Sequence, residues 1–151
     1  MQANTDPVRA VLIPISGTEM LLPNSAIAEI INYQAPEAVE AAPDWLLGTI
    51  SWRGLQLKLF SIEKLLGQER HASSVGARIS VMNRSSQSAK QDFFAIITEG
   101  IPHLVRLKEG DVQVEETVAS HGLIAQEVSV NGKPAFIPDL DYLESMVGGL
   151  S

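Results

Sequence analysis

The sequence contains no cysteine. That absence removes disulfide staples, a thiolate nucleophile and every cysteine-based zinc site, and it fits a reducing compartment. Aromatic residues are scarce at 5 %, and no apolar run approaches the ~20 residues of a membrane span. Basic residues are few as well, 11 against 18 acidic ones, for a formal net charge of −7. Arg78, Arg84 and Lys90 are scattered singles, so no basic face is available to displace counterions from phosphates, and nucleic acid is not an expected partner. The opening Met1-Gln2-Ala3-Asn4-Thr5-Asp6-Pro7 has neither a basic n-region nor an apolar h-region, and a cytoplasmic location is expected.

What is present suffices for a core. At 151 residues and 45 % hydrophobic content, one self-supporting domain is expected, with residues 8–147 folded and 1–7 and 148–151 as flexible termini. Val8 to Ile15 is apolar and β-branched, reading as a buried strand, and Glu19 to Leu22 follows as a second after Ser16-Gly17-Thr18. Asn24 is a plausible N-cap for Ile27, Ile30 and Ile31 at helical spacing, although a short helix passing into a strand fits equally. Gln34 to Asp44, with Pro36 and Pro43, reads as a surface connection.

Trp45 to Ser61 reads as a hairpin turning at Arg53-Gly54, with Leu55, Leu57 and Leu59 on one face, followed by a short helix that Gly67 stops. Ala77 to Met82, Phe93 to Thr98 and Ile101 to Leu107 are expected strands, the first two separated by a long polar, mobile loop. Leu123 to Val130 and Ala135 to Pro138 flank Asn131-Gly132, a type I′ turn signal, before Asp139 caps a last helix with Leu140, Leu143 and Val147 on one stripe. The hairpin-helix from Trp52 to Leu65 and the one from Val130 to Leu143 share a glycine turn, an alternating strand and a polar N-cap at the same offsets. An internal duplication follows at face value, giving two small barrels, each closed by its own strands.

Catalytic patterns are missing. His71, His103 and His121 form no paired metal motif, no serine lies in a G-x-S-x-G elbow, and the glycines make no nucleotide loop. The carboxylates Glu115-Glu116 and Asp139, Asp141, Glu144 read as a solvated loop and a helix face. No metal or organic cofactor is expected. Trp52 and Arg53, together at a hairpin tip, are residue types common among interface anchors, and they read equally well as a core tryptophan and a turn arginine. Ile27, Ile30 and Ile31 pose the same choice, with a core stripe as the simpler reading.

These residues also carry a resemblance. Pro43-Asp44-Trp45-Leu46-Leu47-Gly48-Thr49-Ile50-Ser51-Trp52-Arg53-Gly54 resembles the CheW-like segment of proline, aromatic, aliphatic and glycine positions ending in Asn-Leu-Arg-Gly. Leu55 to Gly67 continues it. Ile27-Ala28-Glu29-Ile30 is similar to the family's Val-x-Glu-Ile step, and Ile96 to Leu107 to its Val-Asp-x-Val-x-x-Val strand pair. The resemblance spans Val8 to Val147 in one register, and it implies a mainly β fold of two SH3-like five-stranded barrels side by side with short helices. It further implies a non-catalytic adaptor between methyl-accepting chemoreceptor tips and a CheA-like histidine kinase. Ile27, Glu29, Ile30, Trp52, Arg53 and Gly54 would then lie near the receptor groove, and Leu and Val residues of the second barrel would meet the kinase. Ser51, Lys58 and Ser61 stand where the family usually has Asn, Pro and Asp, and Trp52 replaces an aliphatic residue. Those departures bring the chain closer to ChpC-type accessory adaptors of pilus-linked systems serving twitching motility. The competing readings are an interaction module of another signalling array and, more remotely, a small hydrolase using Ser16 or a histidine.

Overall fold

A computed structural model describes residues 8–15, 18–68, 76–83, 93–115 and 122–148. In chain order the elements are β1 (Val8–Ile15), β2 (Thr18–Pro23), a 3-10 turn at Asn24–Ala26, β3 (Ile27–Asn32), β4 (Leu46–Trp52), β5 (Leu55–Phe60) and α1 (Ile62–Leu65). They continue with β6 (Arg78–Asn83), β7 (Phe93–Thr98), β8 (His103–Leu107), β9 (Val112–Val114), β10 (Ile124–Val130), β11 (Lys133–Pro138) and α2 (Leu140–Gly148). The chain is mainly β, as expected. Ile27, Ile30 and Ile31 lie on a strand, and Asn24 is no side-chain cap: the turn it opens is three residues long and Pro23 precedes it without a capping bond. β-branching at three of the next five positions favours extended backbone over a helix. The expected mobile loop between β6 and β7, Ser16-Gly17, His71, His121 and the side chain of Val147 lie outside the described residues.

Two curled sheets run in the orders β8-β1-β2-β11-β10-β9 and β3-β6-β7-β5-β4. An isolated bridge from Glu37 to Thr49 extends the second sheet beyond β4, in the place that β9 takes beside β10. Lining up these neighbours reveals two equivalent repeats. The first is β1, β2, β3, the Glu37 bridge, β4, β5 and α1; the second is β6, β7, β8, β9, β10, β11 and α2. Each repeat donates its leading hairpin to the other's sheet. β1–β2 joins β8 to β11, β6–β7 joins β3 to β5, and the two parallel contacts, Phe136 with Met20 and Leu59-Phe60 with Ala95-Ile96, are the seams of the exchange. The barrels are therefore not each closed by their own repeat's strands.

The exchange accounts for the sequence pattern of the donated hairpins. Their strands are covered on both faces, so they read as nearly continuous apolar runs. On β1, Val11, Ile13 and Ile15 face the layer between the sheets while Ala10 faces the interior of its own sheet. On β7, Phe94 and Ile96 face the intersheet layer and Ala95 and Ile97 the other interior. Three apolar layers result, the middle one shared by both sheets and both helices through Ile62, Leu65 and Leu143. At ~1.5–3 kcal/mol for each large side chain buried, this shared layer couples the two halves. An isolated repeat would lose it and strand two edges.

The two hairpin tips are built alike. Arg53-Gly54 (φ +48°, +77°) and Asn131-Gly132 (φ +50°, +83°) are both left-handed at both positions, the signature of a type I′ turn. Both following helices are capped in the same way: Lys64 N donates to Ser61 Oγ at 3.2 Å and Tyr142 N to Asp139 Oδ1 at 3.1 Å.

Candidate functional site

β3 and β4 are the two ends of the second sheet's ladder, and the curl brings them face to face. Side chains close the gap. Gln34, just beyond β3, clamps Ser51 through Nε2 to its carbonyl at 3.1 Å and through Oε1 from its N–H at 3.2 Å. One turn of chain away, Glu29 Oε1 accepts from Trp52 Nε1 at 2.9 Å and from Arg53 Nη2 at 3.0 Å. The Arg53 guanidinium carbon also lies 4.9 Å from the centre of the Trp52 ring, within cation–π range.

The glycine at the start of β4 makes the remaining closure. Gly48 has φ +145°, and a Cβ there would fall 2.2 Å from the Glu37 carbonyl oxygen. Only a glycine lets the 37 segment approach β4 for its two backbone bonds, Glu37 N to Thr49 O at 2.9 Å and Thr49 N to Glu37 O at 2.8 Å. The connection from Gln34 to Asp44 thus carries part of the sheet.

Trp52 belongs to the interior. It is 8 % exposed, packs with Ile50, Leu57 and Leu59, and meets Phe93 edge to face at a centroid distance of 4.9 Å. Arg53 is the opposite, with its side chain 69 % exposed, and Glu29 at 39 % lies between the two. Of the alternatives open for the pair, the core reading holds for Trp52, while Arg53 stands in solvent over its ring.

A bulge separates the isoleucines from this cluster. Register slips between Ile27 and Glu29, so Ile27 pairs with Met82 and Ile30 with Ser80, both on the intersheet face, while Glu29 pairs with Val81, which faces the sheet interior. The six residues singled out in the sequence therefore fall into two groups, divided by the two faces of β3. Glu29, Trp52, Arg53 and Gly54 form a bonded cluster; half-buried Ile27 and exposed Ile30 lie on the other face of β3. Gly54 acts through its backbone alone, since a Cβ there would meet nothing within 4 Å. Gln34, Phe93, Glu37 and Leu55 escaped the sequence reading. The first three hold the cluster, and Leu55, across the turn from Trp52, is 39 % exposed beside Arg53. Their only sequence signal was an apolar or polar residue in a place that could be either core or surface.

Chemically the cluster is a fixed charge pair. Glu29 is held by two donors, and no nucleophile is bonded to it. Among the described residues no group of three His, Asp or Glu side chains could hold a metal ion, and no helix is long and apolar enough to cross a membrane.

A family model described as the CheW-like domain matches residues 9–146. No curated protein matches the chain in sequence. The crystal structure of the scaffolding protein TtCheW from Thermoanaerobacter tengcongensis superposes with a TM-score of 0.74 at 14 % identity, over 93 % of this chain and 89 % of that one. Its fold is shared across both sheets. The chain belongs to the CheW-like domain family, a family of non-catalytic scaffold domains of chemotaxis signalling.

Proposed function

We propose that this protein is a cytoplasmic adaptor that couples methyl-accepting chemoreceptor tips to a CheA-like histidine kinase, with Arg53 at the centre of its receptor contact. The observation that carries the reading is the backbone of Arg53. A non-glycine residue at φ +48° is disfavoured by ~1–2 kcal/mol unless it is Asn or Asp. The equivalent tip of the second repeat uses Asn131, the residue that the turn prefers. The first repeat accepts strain to place a guanidinium in solvent, aligned by Glu29 and stacked on Trp52. Strain held at one of two otherwise equal sites is best explained by what the side chain does there.

An exposed, oriented arginine beside Leu55 suits a helical receptor tip that buries an apolar stripe and meets the charge at its rim. The Trp52 indole supports the finer placement among pilus-linked, ChpC-type adaptors. An aliphatic residue at that position has no N–H to donate, so the second bond to Glu29 is particular to a tryptophan-bearing branch.

Arg53→Asn is the direct test, because asparagine keeps the turn while removing the guanidinium. Melting temperature should stay within about 2 °C of wild type, since the gain in turn geometry offsets a weak exposed ion pair. Affinity for the receptor fragment that co-purifies with the wild type should fall about tenfold or more. Unchanged affinity for every native partner recovered with the wild type would remove Arg53 from the contact.

A further inference from the structure

The free edge of the other sheet carries a charge arrangement that the fold does not explain. Among the described residues β8 ends its sheet and is hydrogen-bonded to β1 alone. Arg106 on β8 is directly opposite Arg9 on β1, and both are exposed. Opposed residues of an antiparallel pair hold their Cβ atoms ~4.5–5.5 Å apart, and like charges so placed repel. Among the described residues neither guanidinium meets a carboxylate. The ion pair of Arg53 with Glu29 lies on the other sheet. The protein has 18 carboxylates and only 11 basic side chains, so two unneutralised arginines facing each other are not an accident of a basic surface.

Apolar surface adjoins them. Leu104 is 70 % exposed and shares the face of Arg106, since it pairs with Val11 as Arg106 pairs with Arg9. Arg9, Arg106, Leu104 and Asn24 line a hollow of about 290 Å³ that contains no acidic residue.

We propose that the β8 edge docks an extended acidic segment of a partner protein, added as a further strand. The open backbone of β8 would supply the ladder bonds. Alternate side chains of the segment would lie on the face of Leu104 and Arg106, an apolar one beside Leu104 and a carboxylate beside Arg106, whose charge the opposed Arg9 reinforces. Nucleic acid and anionic lipid fit poorly, because the chain as a whole carries a net charge of −7, which repels polyanions that reach beyond the hollow. The inference does not rest on the receptor-and-kinase reading, which concerns Arg53 on the other sheet, so either can fail alone.

The probe is a synthetic peptide alternating valine and glutamate on one side and threonine on the other, with a glutamine-for-glutamate peptide as control. Both are titrated into the ¹⁵N-labelled full chain. The glutamate peptide should shift the His103–Leu107 resonances and slow amide exchange on the outer edge of β8. Its affinity should fall about tenfold in the Arg9→Gln, Arg106→Gln double variant and weaken with added salt, while Arg53→Asn should leave it unchanged. Arg106→Gln should also raise the melting temperature, because it relieves the repulsion with Arg9.

Equal binding of the glutamine peptide, or no binding at the β8 edge, would overturn the proposal. So would a lower melting temperature for Arg106→Gln, which would make the arginine pair structural. Dimerisation of the double variant would show instead that the arginines guard the edge against a second copy of this chain.

Discussion

Glu29 accepts two bonds of unequal standing, and a short substitution series separates them. In Glu29→Ala the Trp52 indole N–H, on a ring 8 % exposed, loses its acceptor. A buried donor left unpaired costs about 1–3 kcal/mol. The carboxylate is itself 39 % exposed, so water can reach part of the site and the lower half of that range applies. For a domain of this size, 1 kcal/mol shifts melting by roughly 2–4 °C, so Glu29→Ala should melt about 3–6 °C below wild type. Glu29→Gln keeps an oxygen for the indole and gives up only the ion pair with Arg53, whose side chain is 69 % exposed. Exposed pairs contribute ~0–1 kcal/mol, so its shift should stay under about 2 °C. Calorimetry gives the melting order, and the indole N–H resonance of Trp52 reports the bond itself: retained in Glu29→Gln, displaced and fast-exchanging in Glu29→Ala. If Glu29→Gln proved as damaging as Glu29→Ala, the ion pair would be the main tie and the closure described for this sheet would be wrong.

Gly48→Ala should be the more severe change. A Cβ 2.2 Å from the Glu37 carbonyl oxygen must part the two backbone bonds to Thr49, at ~1 kcal/mol each, with a further ~1–3 kcal/mol of backbone strain; a loss below about 2 kcal/mol in urea unfolding would contradict that geometry. The two cap variants Ser61→Ala and Asp139→Ala should each cost about 1 kcal/mol in the same assay, and their sum should describe the double variant if the helices they cap are independent.

Much of this architecture was legible in the sequence, and what was missed has physical reasons. The hairpin-helix units were readable because Arg53-Gly54 and Asn131-Gly132 are local turn signals, and the polar caps sit at fixed offsets from them. The exchange of leading hairpins was not, because its seams are two short parallel contacts between residues far apart in sequence, and a continuous apolar strand does not say which sheet it enters. β9 escaped because Val112–Val114 is three residues long, half-buried at one position and exposed at two, with no alternation to detect. The Ile27–Ile31 stretch left two readings open because a bulge after Ile27 gives a period-two strand an apparent helical spacing, and the short helical turn passing into a strand is the one that holds. For the candidate site, residue type pointed at Trp52 and Arg53, but only the fold could assign one to the core and the other to solvent.

The duplication gives the two halves a common blueprint, so their differences carry more meaning than their features taken singly. Both repeats place an edge strand third, β3 in one sheet and β8 in the other, each beside a donated hairpin. On β3 the edge is drawn to the far end of its sheet by Glu29 and, just beyond it, Gln34, and the tip opposite bears a strained arginine. On β8 the edge pairs, among the described residues, with β1 only and bears a repelling arginine pair, and the corresponding tip carries an asparagine at ease in its turn. Packing cannot be the cause, since the shared intersheet layer supports both edges through equivalent strands. On the adaptor reading proposed above, a scaffold that holds two different partners at once needs two surfaces that do not compete. One fold used twice, with one edge tied by a fixed ion pair and the other left open and cationic, meets that requirement, because each surface can be altered by substitutions that leave the common core untouched.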